Sequence, residues 1–176
     1  MRQKLILMKV CLEYANQIKE YRQEFLDCGD SMDGCGSLRR IEDPFEYIQR
    51  SIDCEKEETM PAGLVPATQF MLIRKTDNRL IGMIQIRHYF NDYLSKFGGH
   101  IGYSVRPSER RKGYAKEMLK MALPYCKEIG LDKVMITCID SNVASEKTIC
   151  SCGGVYESTI YEPDEKVNLK RFWISL

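Results

Sequence analysis

Hydrophobic positions along the chain change period several times, and each change marks an element. Residues 2–8 read as a first strand, and Leu12 to Phe25 as a helix. The polar, glycine-bearing run DCGDSMDGCGSLRR then reads as a loop. A second helix is expected from Pro44 to Glu57, with Asp43 as its cap and Pro44 in its first turn. TQFMLIRK and RLIGMIQIRHYF are strand-like and are joined by TDN, which predicts a hairpin. A loop over Asn91–Phe97 leads to GHIGYSVRP, a further strand that Pro107 ends.

The second half alternates more regularly. Ala115, Met118, Leu119, Ala122, Cys126 and Ile129 fall on one face of a helix spanning Lys112 to Ile129, with a kink expected at Pro124. KVMITCID is apolar enough for a strand buried on both faces. Asn142 to Cys152 fits a short helix stopped by Gly153 and Gly154. GVYESTIY and VNLKRFWISL close the chain as a hairpin. This order predicts an α/β (α+β) fold: a mostly antiparallel sheet of six to seven strands, about four flanking helices and one central parallel strand pair. The strand–helix–strand crossover requires that pair. No internal repeat or linker is evident, so residues 1–176 are expected to form one domain.

Composition narrows the functional classes. The net charge is +1, with acids and bases nearly balanced, which argues against a nucleic-acid footprint. No apolar run reaches eighteen residues, so no membrane helix is expected. Lys9 interrupts the short apolar run at the start and no small-residue cleavage site follows, against a signal peptide. The 8 cysteines form no CxxC pair and the 2 histidines lie far from them, so no metal site is expected. The cysteines read as small core hydrophobes in a reducing cytoplasm.

One stretch stands apart. SERRKGYAKEML places Arg110, Arg111 and Lys112 beside Gly113 where a helix begins. A helix N-terminus is already positive, so these cations sit there at a cost unless an anion arrives. Free backbone N–H groups point outward from a first helical turn, and a glycine lets an anion approach them closely. Charge-assisted hydrogen bonds of roughly 1.5–3 kcal/mol each, added to those amides, would hold a diphosphate at about micromolar strength. The GxxxxGK[ST] pattern for nucleoside triphosphates is absent.

Arg110-Arg111-Lys112-Gly113-Tyr114-Ala115 resembles the acyl-CoA pyrophosphate loop of the GNAT N-acetyltransferase superfamily. IGYSVRPSE is similar to that family's fourth strand, and MITCIDSNVASEKTICSCGG to its fifth strand and following helix, with Asn142 and Ser145 at the Asn-x-x-Ser positions. The strong resemblance spans about Gly99 to Gly154. It implies acetyl transfer from acetyl-CoA to an amine of a small molecule or protein, by direct attack on the thioester and without a metal. The backbone at Tyr103, Ser104 and Val105 would pair with the pantetheine arm. Arg110 to Ala115 would hold the pyrophosphate, and Asn142 and Ser145 would lie along the arm. Asn142 reads equally as a helix cap. A homodimer is compatible with the resemblance. The alternative function is a module that binds acyl-CoA without turnover.

The chemistry makes further demands. An amine of pKa near 10 is neutral in only about one part in a thousand at pH 7, a handicap of roughly 4 kcal/mol. A base or a water chain must take the proton, an N–H near Val105 would stabilise the oxyanion, and the thiolate needs an acid. His100 is the candidate base, and a hairpin centred near Leu94 would pair it across strands with His88. Asp92 and Glu109 are lesser candidates. The family's frequent tyrosine seven residues after the asparagine is Ile149 here, leaving Tyr156, Tyr161 or water as proton source. An acyl-cysteine route through Cys138 or Cys150 is a minor alternative. Tyr47, Tyr89, Tyr93 and Trp173 could line the acceptor site or pack in the core.

Overall fold

A computed structural model describes residues 4–176. Seven strands and four α-helices follow in the order β1 (Leu5–Lys9), α1 (Ala15–Asp27), α2 (Pro44–Asp53), β2 (Ala67–Arg74), β3 (Arg79–Arg87), β4 (Ile101–Val105), α3 (Tyr114–Glu128), β5 (Lys133–Ile139), α4 (Val143–Ser151), β6 (Val155–Glu162) and β7 (Val167–Ser175). Positions 2 and 3 of the expected first strand lie outside the described residues. The second helix stops at Asp53 rather than Glu57, while Asp43 caps it as expected, its side chain accepting from the Phe45 N–H at 3.0 Å.

The strands form two sheets instead of one: β1-β2-β3-β4 and β5-β7-β6. Every ladder is antiparallel. The expected parallel pairing of β4 with β5 is reduced to one main-chain bond, from the His100 N–H to the Met135 carbonyl at 2.8 Å. Local chemistry accounts for this. Gly99 has φ +65°, and a Cβ there would lie 2.6 Å from the Met135 oxygen, so only glycine lets the two chains approach. The Met135 N–H then donates to Nδ1 of His100 at 2.9 Å, where a parallel ladder would supply a carbonyl. A side chain substitutes for the backbone, and the ladder ends there.

Both faces of the first sheet are covered, which is why β2 is buried along its whole length. On one face Ile18, Tyr21 and Phe25 of α1 and Tyr47 and Ile48 of α2 pack on Met71, Ile73 and Met83. On the other, Met118, Leu119 and Ala122 of α3 pack on Leu72, Ile84 and Ile86, and the cluster continues into Val134 and Ile136 of β5 and Phe172 of β7. Helix α3 carries the apolar stripe read from the sequence, with Pro124 inside it. No helix is long and apolar enough to cross a membrane, and no disulfide forms among the described residues.

Candidate active site

The break between the sheets leaves one edge of β4 without a ladder. The Arg87 N–H donates to the His100 carbonyl and the Arg106 N–H to the Ile81 carbonyl, each at 2.8 Å. Amides in an antiparallel strand point alternately to either side. In this register Gly102 and Ser104 turn their amides toward β3, while Ile101, Tyr103 and Val105 turn theirs toward the open edge. Of the three residues expected to meet the pantetheine arm, Tyr103 and Val105 turn their amides to the open edge and Ser104 turns its amide to β3. The Ser104 hydroxyl is also turned away, 3.0 Å from the Tyr21 hydroxyl and 3.3 Å from Cys35 Sγ.

The loop expected to cradle an anion begins where β4 ends. Arg111 has φ +62° and Gly113 has φ +82°, and both bend the chain in the left-handed sense just before α3. Such reversals curl successive amides into a concavity suited to an anion, and the α3 dipole adds to it. A Cβ on Gly113 would meet nothing within 4 Å, so the space beside these amides is open.

The three cations differ in their commitments. Arg110 donates from Nε to the Val105 carbonyl at 3.1 Å, pairs with Asp30, and lies 5.4 Å from the Phe25 ring centre. Lys112 pairs with Glu109 at 2.8 Å. Arg111 is exposed and has no ion pair among the described residues, so it is the cation left to meet a ligand. Tyr114 is buried, and its hydroxyl accepts from Arg74 at 3.1 Å. Ala115 packs against the core.

Sequence reasoning missed the hub beneath this loop. Glu109 is 5% exposed and bonds Arg74 at 2.9 and 3.1 Å while also pairing with Arg79 and Lys112. Burial alone would raise its carboxyl, but the hydrogen bonds from Arg74 and Lys112 outweigh that and hold it below the usual carboxylate range. Saturated by cations, it is not placed to act as a base. Its signal was a lone acid inside a basic run.

On the far side of the gap, Asn142 caps α4, its Oδ1 accepting from the Ser145 N–H at 3.1 Å. Its amide nitrogen makes no hydrogen bond among the described residues. The Ser145 hydroxyl lies 2.9 Å from the Tyr103 hydroxyl, so one tyrosine bridges β4 and α4. Ile149, at the family's tyrosine position, is fully buried. Tyr156 and Tyr161 are exposed on β6, and the Tyr156 hydroxyl lies 2.9 Å from the Thr159 hydroxyl.

His100 does not fit the role of base. Its Nδ1 already accepts from Met135, so the neutral ring carries its proton on Nε2 and has no free acceptor. Burial, with Arg87 adding to it, pushes its pKa down to about 4. The ring packs on Phe90 with centroids 3.9 Å apart. His88 is not its partner: the register sets Arg87 opposite His100, and the His88 ring bonds the Thr68 hydroxyl at 2.9 Å instead.

The proton linkage has a definite sign. A histidine whose folded pKa lies below the unfolded value near 6.5 contributes stability that is full above pH 6.5 and is lost as pH falls toward 4. His100→Asn keeps an acceptor for Met135 but does not titrate. Urea unfolding of wild type should therefore weaken more between pH 7 and 4.5 than that of the variant. Equal losses would show that His100 is not buried neutral.

The other candidates are placed as follows. Burial pushes the Cys138 thiol up to about 11, against a thiolate nucleophile. Tyr47 is fully buried, Tyr89 is exposed and donates to Glu57 at 3.1 Å, and Trp173 donates to Glu157 at 3.0 Å. Among the described residues no group of three His, Cys, Asp or Glu side chains could hold a metal ion. A cavity of about 280 Å³ lies on the α2 face of the first sheet, lined in part by Arg87, Tyr93, Gln69 and Gln85.

The two sheets thus meet at one main-chain contact, with an open strand edge on β4 and a glycine-bearing turn at the head of α3. Residues 35–153 match the acetyltransferase (GNAT) family, and the chain belongs to it. The uncharacterized N-acetyltransferase YnaD of Bacillus subtilis is 31% identical over 88 residues, covering 49% of each protein, so the match spans about half of that relative. The ribosomal-protein-S5-alanine acetyltransferase of Vibrio fischeri superposes with a TM-score of 0.75 at 16% identity, over 99% of this chain and 94% of that one. The microcin C7 self-immunity acetyltransferase MccE, solved with acetyl-CoA and AMP, gives 0.72 at 18% identity, over 100% and 94%. Those two likenesses concern the fold alone.

Proposed function

We propose that the protein transfers an acetyl group from acetyl-CoA to a primary amine by direct attack on the thioester. The observation that carries this reading is the alignment of the open β4 edge with the cradle at its end. Tyr103 and Val105 turn amides toward the edge, and beyond it lie the left-handed turns at Arg111 and Gly113 and the exposed Arg111 guanidinium. Bound acetyl-CoA supplies an activated thioester carbonyl. The Val105 N–H would donate to the oxygen that gains charge, and the loop before α3 would hold the diphosphate. The amide nitrogen of Asn142, which makes no hydrogen bond among the described residues, would bond the arm.

His100 and Glu109 are both committed to protein partners, so the ammonium would lose its first proton to solvent. The attacking nitrogen then forms the amide bond as the carbon–sulfur bond breaks. Its second proton goes to the departing sulfur. The cavity beside the gap favours a transferase over a module that only binds the donor. Incubation with acetyl-CoA and an amine panel should release free thiol and N-acetyl product in equal amounts. Thiol release by His100→Asn relative to wild type should be the same at pH 6.5 and pH 9. Tight donor binding with no turnover on any amine would overturn the transfer reading.

A further inference from the structure

The cavity on the α2 face carries an unusual set of charges. Arg40, Arg50 and Arg87 line it, and no Asp or Glu does. None of the three forms an ion pair among the described residues. Arg87 is fixed by Nη1, which donates to the Gly98 and Gly99 carbonyls at 3.1 and 3.3 Å. Its other donors have no protein partner among the described residues. Burial pushes the Arg87 guanidinium down from its usual range, and Tyr93 and Asp33 offset only part of that.

A second observation lies in the floor. Gln69 is 2% exposed, and its Nε2 donates to the Gly34 and Ile84 carbonyls at 2.8 and 3.2 Å. Its Oε1 is buried with no partner. Leaving a buried acceptor unpaired is costly, which suits a ligand that brings a donor. An amine or its hydroxyl neighbours would provide one. Gln69, Gln85 and Gly102 form one row across β2, β3 and β4, so this floor leads directly to the strand with the open edge. Gly34 presses on that row, its Cα 3.1 Å from where a Cβ of Gly102 would stand. The 28–41 loop thus closes the cavity from above.

We propose that this cavity is the acceptor site and that it takes a small amine bearing a carboxylate or phosphate, with Arg87 holding the anionic group. This rests on the acetyl-transfer reading of the β4 edge. Arg40 and Arg50 add to the field at the mouth. The size agrees: about 280 Å³ is at the low end of small-molecule sites and suits an amino acid or amino phosphate better than a polypeptide. The charge also serves the chemistry. A cavity lined by guanidinium groups disfavours an ammonium, so the amine end is biased toward the neutral form that attacks.

The test compares matched pairs of amines on the wild-type protein with saturating acetyl-CoA: free amino acids against their methyl esters, and O-phosphoethanolamine against ethanolamine. The expected result is a kcat/KM at least about 10-fold higher for the anionic member of a pair. Which pair responds more separates carboxylate from phosphate. Arg87→Gln should remove that preference and raise the acceptor KM roughly 10- to 100-fold while the KM for acetyl-CoA stays unchanged. Arg40→Gln, at an exposed position, should lower the preference by a smaller factor and guards against misfolding of the first variant. Calorimetry of the same amines in the presence of coenzyme A reads the site without turnover. Preference for neutral amines, polyamines or peptides overturns the proposal while leaving acetyl transfer standing. Failure of every anionic amine to bind overturns it too. Donor binding without any thiol release is a different outcome, since it removes the transfer reading itself.

Discussion

Replacing Gly113 by glutamate should reduce coenzyme A affinity at least about 100-fold, which corresponds to a loss of about 2.7 kcal/mol. Two effects act together. Gly113 caps α3 with φ +82°, a conformation that costs an L-residue roughly 1–2 kcal/mol. A carboxylate at that point would occupy the open space beside the α3 amides and repel a diphosphate. The fold should survive, because a Cβ there meets no protein atom within 4 Å. Gly113→Ala separates the two effects, since it carries the strain without the charge and should lose far less affinity. Titration calorimetry with coenzyme A, beside circular dichroism of each variant, makes the measurement. Unchanged affinity in Gly113→Glu would remove the cradle from the site.

The second large effect concerns stability. Glu109→Gln should cost about 3 kcal/mol, because it removes the buried carboxylate shared by Arg74, Arg79 and Lys112 and leaves Arg74 only its exposed partner Asp77. For a chain of this size that is a fall in Tm of roughly 6–12 °C. The exposed pair of Arg110 with Asp30 makes a contrast, since Asp30→Asn should change Tm by little. The pH dependence follows from the lowered Glu109 carboxyl. A depressed folded pKa gives stability that is present above the unfolded value near 4.5 and is lost as pH falls below it. The gap in Tm between wild type and Glu109→Gln should therefore be largest near neutral pH and shrink in acid. A constant gap down to pH 3 would mean that Glu109 is not held as a carboxylate.

These two residues are neighbours in the same short run, yet the sequence treats them differently. Gly113 is legible because a glycine among cations at a helix start has few other reasons to be there. Glu109 is illegible because its partners Arg74 and Arg79 come from the far hairpin. The same hairpin hides Arg87. As a sequence, QIRHYF is the polar end of a strand; only the fold sets Arg87 beside Arg40 and Arg50, across a loop and a helix. Buried Gln69 and half-buried Gln85 were visible as polar residues within apolar strands, but their shared row depends on register.

His100 shows how a residue type can mislead. A histidine just before a cofactor-binding strand fits a general base, and its reactive range makes that reading attractive. What decides its state is the Met135 amide, which arrives from a strand more than thirty residues away and takes the only acceptor nitrogen.

The order of elements, the α3 stripe, the caps at Asp43 and Asn142 and the glycine-marked loop all follow from the sequence by itself, because each depends on residues a few positions apart. The splitting of the sheet, the commitment of Arg110 and Lys112 to acids, the neutral state of His100 and the convergence of three arginines were decided only by tertiary structure. Those features are set by register and long-range contact, where a shift of one residue turns a side chain to the opposite face and changes every partner it meets.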